Sequence, residues 1–307
     1  MIKDHLGASD SISTSEPLSA AQVTVAQCLG STESHSTLNL VSDILSVQTE
    51  NCTAPEIALP RGLVWDSRTT MSMIPPDLTQ NLWPNYMTEE SDIPGEQIEF
   101  SMSAEEFHHR FPVWAIRESE QNEVIAYISA IRLFADLDAA DLPEEGWSFA
   151  ANSYAAKTQA NCLCLLAANV NHKFRRLGLA SILISKAKIE AKKMGFHTVI
   201  APVRPNGKAQ YPSLSLKDYL QRKREDGGSI DPWVRTHLRA GGELRNICSK
   251  SVVIRATLAK WKTWTGIQFA SPGKHELSEG LSPLEVDLEQ SLGVYQEPNV
   301  WISHRVT

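Results

Sequence analysis

The stretch from Cys162 to Val203 constrains this chain more than any other. It reads as an apolar strand, Cys162 to Val170, a short polar turn, a helix over about 179–193, and at once a second strand, His197 to Val203. The helix carries Leu179, Ile182, Leu183 and Ile189 on one side and Lys186, Lys188, Lys192 and Lys193 on the other, the period of a helix laid on a sheet. Met194-Gly195-Phe196 ends it. Between strand and helix stand Arg175, Arg176, Leu177, Gly178, Leu179, Ala180 and Ser181. A glycine-bearing turn that opens a helix offers an anion the unpaired N–H groups of the first turn and the positive end of the macrodipole. Gly178 has no Cβ, so the backbone there can approach a ligand. The patterns G-x-G-x-x-G and G-x-x-x-x-G-K-[ST] are absent, which sets aside the two commonest nucleotide-binding turns.

The order R-x-x-G-x-A after a strand, at Arg175 to Ala180, with a helix and a further strand behind it, resembles the pyrophosphate-binding turn of the GNAT acetyltransferase superfamily. The resemblance implies an α/β fold with a mixed, mostly antiparallel twisted central sheet flanked by helices. It implies acetyl-CoA, or another acyl-CoA, as co-substrate, with no metal ion. Ala168 and Val170 would pair with the pantetheine arm as if it were another strand, and the turn from Arg175 to Ser181 would wrap the pyrophosphate. Where the fourth and fifth strands of such a fold splay apart, free N–H groups polarise the thioester carbonyl. The C-terminal half also resembles a GNAT-like subgroup through A-P-V-R-P at 201–205, Y-P at 211–212, D-P-W at 231–233, W-T-G at 264–266 and E-P-N-V-W at 297–301, with no acceptor implied.

A chain of 307 residues with 42% hydrophobic and 21% charged side chains can bury a full core and reads as soluble and globular. No stretch approaches the ~20 apolar residues that cross a bilayer, and the N-terminal MIKDHLGASDSISTSEP lacks the apolar segment of a secretory signal. Five cysteines without a C-x-x-C pair suit reduced thiols, and hence a cytoplasmic protein. The net charge of −7 hides an asymmetry: 20 of the 29 Lys and Arg, but only 6 of the 36 Asp and Glu, fall between His172 and Lys262. These cations are dispersed, with no aromatic interleaving, so a polyanionic cofactor accounts for them better than nucleic acid.

Residues 1–55, rich in Ser, Thr, Glu and Gln, are expected to be flexible, with one short docking helix at Leu38 to Val47. The folded domain is expected over residues 56–307, its cofactor core at about 160–256. Gly62 to Trp65 suits a first strand, and Pro75-Pro76 is expected to stop any helix. Ser103 and Glu106 form a capping box that opens a helix to about Arg110. Val113 to Arg117 and Glu123 to Leu133 read as a hairpin. A helix from about Leu142 to Lys157 is an insertion that a minimal GNAT lacks. Further on come a short helix at Ser215 to Arg224, a helix capped by Asp231 and closed by Gly241, strands at Glu243 to Ile247 and Ser251 to Ala256, and a turn at Tyr295 to Trp301 into a last strand.

In the superfamily, a Tyr four residues before a Gly often protonates the departing thiolate. The matching position here is His237, before Gly241, and a His can serve because it titrates near neutral pH. Tyr211 and Tyr219 are the other acids. An amine must lose a proton before it attacks a thioester, yet neither strand of the cofactor core carries Asp or Glu. Asp231, Glu297, Asp218 or a water chain remain as base, although Asp231 is first a helix cap and Glu297 a turn residue. The cations Arg204, Lys208, Arg222, Arg224 and Arg235 suit a small-molecule acceptor that bears an anionic group. The expected activity is acyl transfer to a small-molecule amine by direct attack in a ternary complex. The alternatives are O-acylation, acyl loading onto a carrier protein, or a catalytically silent CoA-binding module.

Overall fold

The computed structural model describes residues 57–66, 69–70, 73–79, 83–94, 112–153 and 159–307. The segment 1–55, with its docking helix at Leu38 to Val47, and the capped helix from Ser103 to Arg110 lie outside the described residues. The described elements are, in chain order, β1 (Leu63–Asp66), α1 (Pro76–Thr79), α2 (Asn85–Thr88), β2 (Val113–Glu118), β3 (Val124–Leu133), α3 (Gly146–Asn152), β4 (Cys162–Val170), α4 (Leu179–Lys193), β5 (Thr198–Val203), α5 (Leu216–Gln221), α6 (Pro232–Arg239), β6 (Gly242–Thr257), α7 (Leu258–Thr265), β7 (Gly273–His275), β8 (Leu284–Asp287) and β9 (Leu292–Arg305).

The nine strands make one mixed sheet in the order β1-β2-β3-β4-β5-β9-β8-β7, with β6 also paired to β9. Only β4 and β5 run parallel; every other described pair is antiparallel. That single parallel pair follows from the crossover helix α4 between them, since a parallel connection needs a long return. Alternation along β4 sends Leu163 and Leu165 to one face, into a core with Leu183, Ile184 and Ala187 of α4 and Val234 of α6. It sends Cys162 and Cys164 to the other face, into a core with Leu142, Ala150 of α3 and Trp301 of β9. Leu183 and Ile184 are fully buried, and each such side chain contributes about 1.5–3 kcal/mol.

Several expectations are corrected by packing. Pro75-Pro76 does not stop a helix: Pro76 opens α1, at the position where its missing N–H costs nothing. The inserted helix is shorter than expected and ends at Asn152, where the Ser153 N–H returns to Phe149 O at 2.8 Å. The two strands expected at 243–256 are one long strand, β6, whose register shifts opposite β9. Glu297-Pro298 is no turn but lies inside β9. The ladder tolerates Pro298 because β6 pairs Val252 with Glu297 and Cys248 with Asn299, leaving Pro298 opposite the shift. On the other edge β8 reaches only Tyr295 and β5 begins at Val300. The hairpin β7–β8 and the helix α7, capped by Thr257 and closed by Gly266 at φ 72, were not foreseen. No helix among the described residues is long and apolar enough to cross a membrane.

Candidate active site

The cofactor core opens where β4 and β5 part. They pair at Leu163↔Val199 and Cys164↔Ile200 and no further. Beyond that point β4 continues to Val170 beside β3 alone, and β5 continues to Val203 beside β9 alone. The Asn171 N–H donates to Ile125 O at 2.8 Å. Antiparallel alternation therefore turns the backbone groups of Ala168 and Val170 away from β3, toward the gap. The side chain of Asn169 accepts from Val170 N at 2.8 Å and donates to Leu78 O at 2.7 Å, which ties α1 to the end of β4.

A bulge sits at the mouth of the gap. Ser129 pairs with Ala167 and Ala130 with Leu165, so Leu166 has no partner on β3. Leu166 and Ala167 consequently both face the side away from α4, as an inserted residue requires. The indole of Trp147, from α3, donates to Leu166 O at 3.2 Å.

At the far end of β4 the chain makes a short turn and enters α4. The Asn171 side chain accepts from Lys173 N at 3.1 Å, and Arg176 takes a left-handed φ of 71°. Gly178, at φ 75°, is the N-cap of α4, and no side chain caps the helix. A Cβ added to Gly178 would meet no atom within 4 Å. Thus Leu179, Ala180 and Ser181 begin a fifteen-residue helix with uncapped N–H groups, flanked by the exposed Lys173, Arg175, Arg176 and Leu177. This cradle fits a pyrophosphate: the backbone supplies donors, the macrodipole adds positive potential, and two arginines stand beside it.

The four acid–base candidates do not converge. His237 is 1% exposed, with Nδ1 2.9 Å from His304 Nε2 and its ring edge-on to Trp233 at 4.4 Å. Burial, with His304 alongside, pushes its pKa down to about 3, and burial lowers that of His304 to about 4. At neutral pH neither is an imidazolium, so neither holds the proton that a departing thiolate needs. His304 pairs with Val199, on the closed side of the gap. Asp231 is fully buried and fully used. One oxygen accepts from Trp233 N and Val234 N at 2.9 Å, the other from Gly207 N at 2.8 Å and the Tyr219 hydroxyl at 3.1 Å. It caps α6 and pins the loop after β5. Tyr211, half-buried on that loop, packs 5.9 Å from the Tyr219 ring and lies under the Arg222 guanidinium at 4.5 Å.

Glu297 is fully buried and accepts from Arg204 through both oxygens, Nε to Oε1 at 2.8 Å and Nη2 to Oε2 at 3.1 Å. The Tyr295 hydroxyl adds a third bond to Oε2 at 2.7 Å. Arg204 is the residue directly after β5, so this pair stands at the open end of that strand.

The sequence reading missed the segment around α1 and α2. Its Leu78 packs with Tyr127, Trp83 lies 5.3 Å from the Arg204 guanidinium, and Tyr86 packs on Trp261 and Tyr295 at 5.4 and 5.3 Å. It therefore runs from β4 across to β9 on the face away from α4, and borders a cleft of ≈ 320 Å³ lined also by Trp264, Ile267, Ser278 and Glu279. One-turn helices carry no usable periodicity, so only the aromatic residues hinted at this segment.

A parted strand pair that feeds an uncapped, glycine-led helix is an α/β arrangement able to hold an anionic group at the helix start. The arginine N-acetyltransferase avaD of Aspergillus versicolor is 30% identical over 213 residues, 62% of this chain and 73% of that protein. The chain belongs to the GNAT acetyltransferase superfamily, and its class is that of acyl-CoA-dependent N-acyltransferases. No family model matches it. Among solved structures it is similar to the loading GNATL domain of CurA from Lyngbya majuscula (15% identity, TM-score 0.40, covering 63% of this chain and 76% of that one). It is also similar to a GNAT phosphinothricin acetyltransferase from Sinorhizobium meliloti in complex with AcCoA (12% identity, TM-score 0.33, covering 66% and 67%).

Proposed function

We propose that this chain moves an acetyl group from acetyl-CoA to an amine nitrogen of a small molecule with arginine's functional groups, by direct attack in a ternary complex. The observation that carries the reading is the gap between β4 and β5 with the Gly178 cradle at its end. The name of the A. versicolor relative supplies the acceptor class. Acetyl-CoA supplies the thioester. The N–H groups of Leu179, Ala180 and Ser181, with Arg175 and Arg176, hold its pyrophosphate. Ala168 presents its backbone groups, and Val170 its carbonyl, to the pantetheine arm, the Val170 N–H being held by Asn169. Attack forms the amide bond, breaks the carbon–sulfur bond and leaves a thiolate. The amine's proton passes to water, since Asp231 and Glu297 are both engaged in internal hydrogen bonds. His237 and Asp231 hold the shape of the site, and Tyr211 is the side-chain acid left for the thiolate. A Tyr211→Phe variant that keeps full kcat would remove Tyr211 from that role.

The test is incubation with acetyl-CoA and arginine, with lysine and simple alkylamines as controls, read by mass spectrometry alongside acetyl-CoA calorimetry. Acetylated arginine formed in preference to the controls supports the reading. Acetyl-CoA binding without acetylation of any amine would point to the silent CoA-binding module instead.

A further inference from the structure

We propose that Arg204 anchors a carboxylate of the acceptor, so that the site takes acceptors of the amino-acid class rather than plain amines. The proposal rests on the acyl-transfer reading above and names the acceptor chemistry of that same site.

Arg204 follows β5 directly, at the open end of the gap. Its guanidinium is fixed from several sides. Nε and Nη2 meet Glu297 at 2.8 and 3.1 Å, Nη2 also donates to Glu279 O at 2.8 Å, and the cation lies 5.3 Å from the Trp83 ring centre. Glu297 is itself held by the Tyr295 hydroxyl, which accepts from Leu281 N at 2.9 Å. Burial pulls the Arg204 pKa down, but the Glu297 carboxylate and its hydrogen bonds more than offset this and the net shift is upward, so the group stays charged.

This arrangement uses the Nε and Nη2 donors and leaves Nη1, which makes no hydrogen bond among the described residues. The side chain is 12% exposed and Nη1 is not among the buried side-chain atoms that lack a partner, so its two N–H donors keep an opening to solvent and to a ligand. As a contribution to stability alone such a pair counts for little, since apolar side chains of similar volume often replace a buried ion pair at little cost. A fixed guanidinium with unused N–H groups is the arrangement that recognises a carboxylate.

Arg204 touches two residues that line the cleft of ≈ 320 Å³, Trp83 and Glu279, and that cleft has room for an amino acid.

The experiment measures binding of arginine and of its carboxamide, argininamide, to the protein saturated with CoA, by calorimetry, in wild type, Arg204→Lys and the pair Arg204→Gln/Glu297→Gln. The double variant avoids leaving Glu297 as a lone buried charge. A charge-assisted hydrogen bond corresponds to about a 10- to 100-fold preference for arginine over the amide in wild type. That preference should fall to near one in the double variant, with Arg204→Lys between, while acetyl-CoA affinity stays unchanged. A structural role would weaken both ligands equally and leave their ratio intact. Equal binding of the two compounds by wild type, binding of neither, or a ratio that survives the double substitution overturns the proposal. A wild type that binds arginine with the expected preference but transfers no acetyl group strikes the acyl-transfer reading alone.

Discussion

Trp147 donates its indole N–H to the main-chain carbonyl of Leu166, 3.2 Å away, and so a helix inserted between β3 and β4 grips the residue of β4 that has no partner on β3. The insertion thereby sets the bulge at the mouth of the gap. A neutral hydrogen bond of this kind contributes about 1 kcal/mol. Trp147→Phe keeps an aromatic side chain, though a smaller one, and loses the donor. The expected result is a fall of about five-fold in kcat, since the bulge loses its fixed orientation, with little change in acetyl-CoA affinity. Steady-state kinetics beside calorimetry checks the split.

Gly178 is the residue of the cradle most sensitive to substitution. At φ 75° any side chain costs about 1–2 kcal/mol. An aspartate there would also offer its carboxylate to the N–H groups of α4 and repel a pyrophosphate. Gly178→Asp should weaken acetyl-CoA binding about 100-fold, and Gly178→Ala about 10-fold through backbone strain alone. Each should lower folding stability by no more than that strain of about 1–2 kcal/mol, because a Cβ meets no atom within 4 Å. Unchanged affinity in the aspartate variant would move the pyrophosphate site elsewhere.

Gly146 tests how tightly the insertion docks. It has φ 43°, and a Cβ would lie 2.5 Å from Ser251 Oγ and 2.7 Å from Cys248 Sγ. Gly146→Ala must push α3 off β6, at a cost of about 3 kcal/mol. For a chain of this size that corresponds to a fall in Tm of about 6–12 °C. Thermal unfolding followed by circular dichroism gives the answer, and a shift under two degrees would mean the helix has slack.

The His237–His304 pair gives stability a defined pH dependence. Both folded-state pKa values, about 3 and about 4, lie below the ordinary value of 6.5. The unfolded chain therefore binds protons that the folded chain refuses. The contribution is complete above about pH 6.5 and is lost as the pH falls toward 4 and then 3, by up to about 1.4 kcal/mol per pH unit for each His. Urea unfolding midpoints measured between neutral and mildly acid pH should drop in wild type. In a His237→Gln/His304→Gln variant they should drop less over the same window.

The cofactor half was legible because each of its signals is local. The polarity switch along α4, Gly178 at its entrance and Gly195 behind its end specify strand, turn and helix without reference to the rest of the chain. Asp231 was equally clear as a cap, for the same reason. The acceptor side was not legible. Trp83 and Arg204 are more than a hundred residues apart and meet only through the tertiary fold. Glu297-Pro298 carries the signature of a turn, and its strand exists because β6 slips register there. His237 occupies a position expected of an acid, but its burial beside His304 is decided by the packing of α6 on the sheet.

One feature of the topology bears on how the molecule is made. β9 takes β5 and β8 on one edge and β6 on the other, and among the described strands β6 has no other partner. During synthesis β9 leaves the ribosome after every strand it joins. Until residues 292–305 emerge, three strands stand with open edges, and one long strand has nothing to pair with at all. The nascent chain is therefore exposed to protease and to wrong pairing until residues 292–305 have joined the sheet. A stalled chain ending before Leu292 should be digested through β6, whereas the full chain should resist. The sheet is closed by its final strand, and with it the wall against which Arg204 is set.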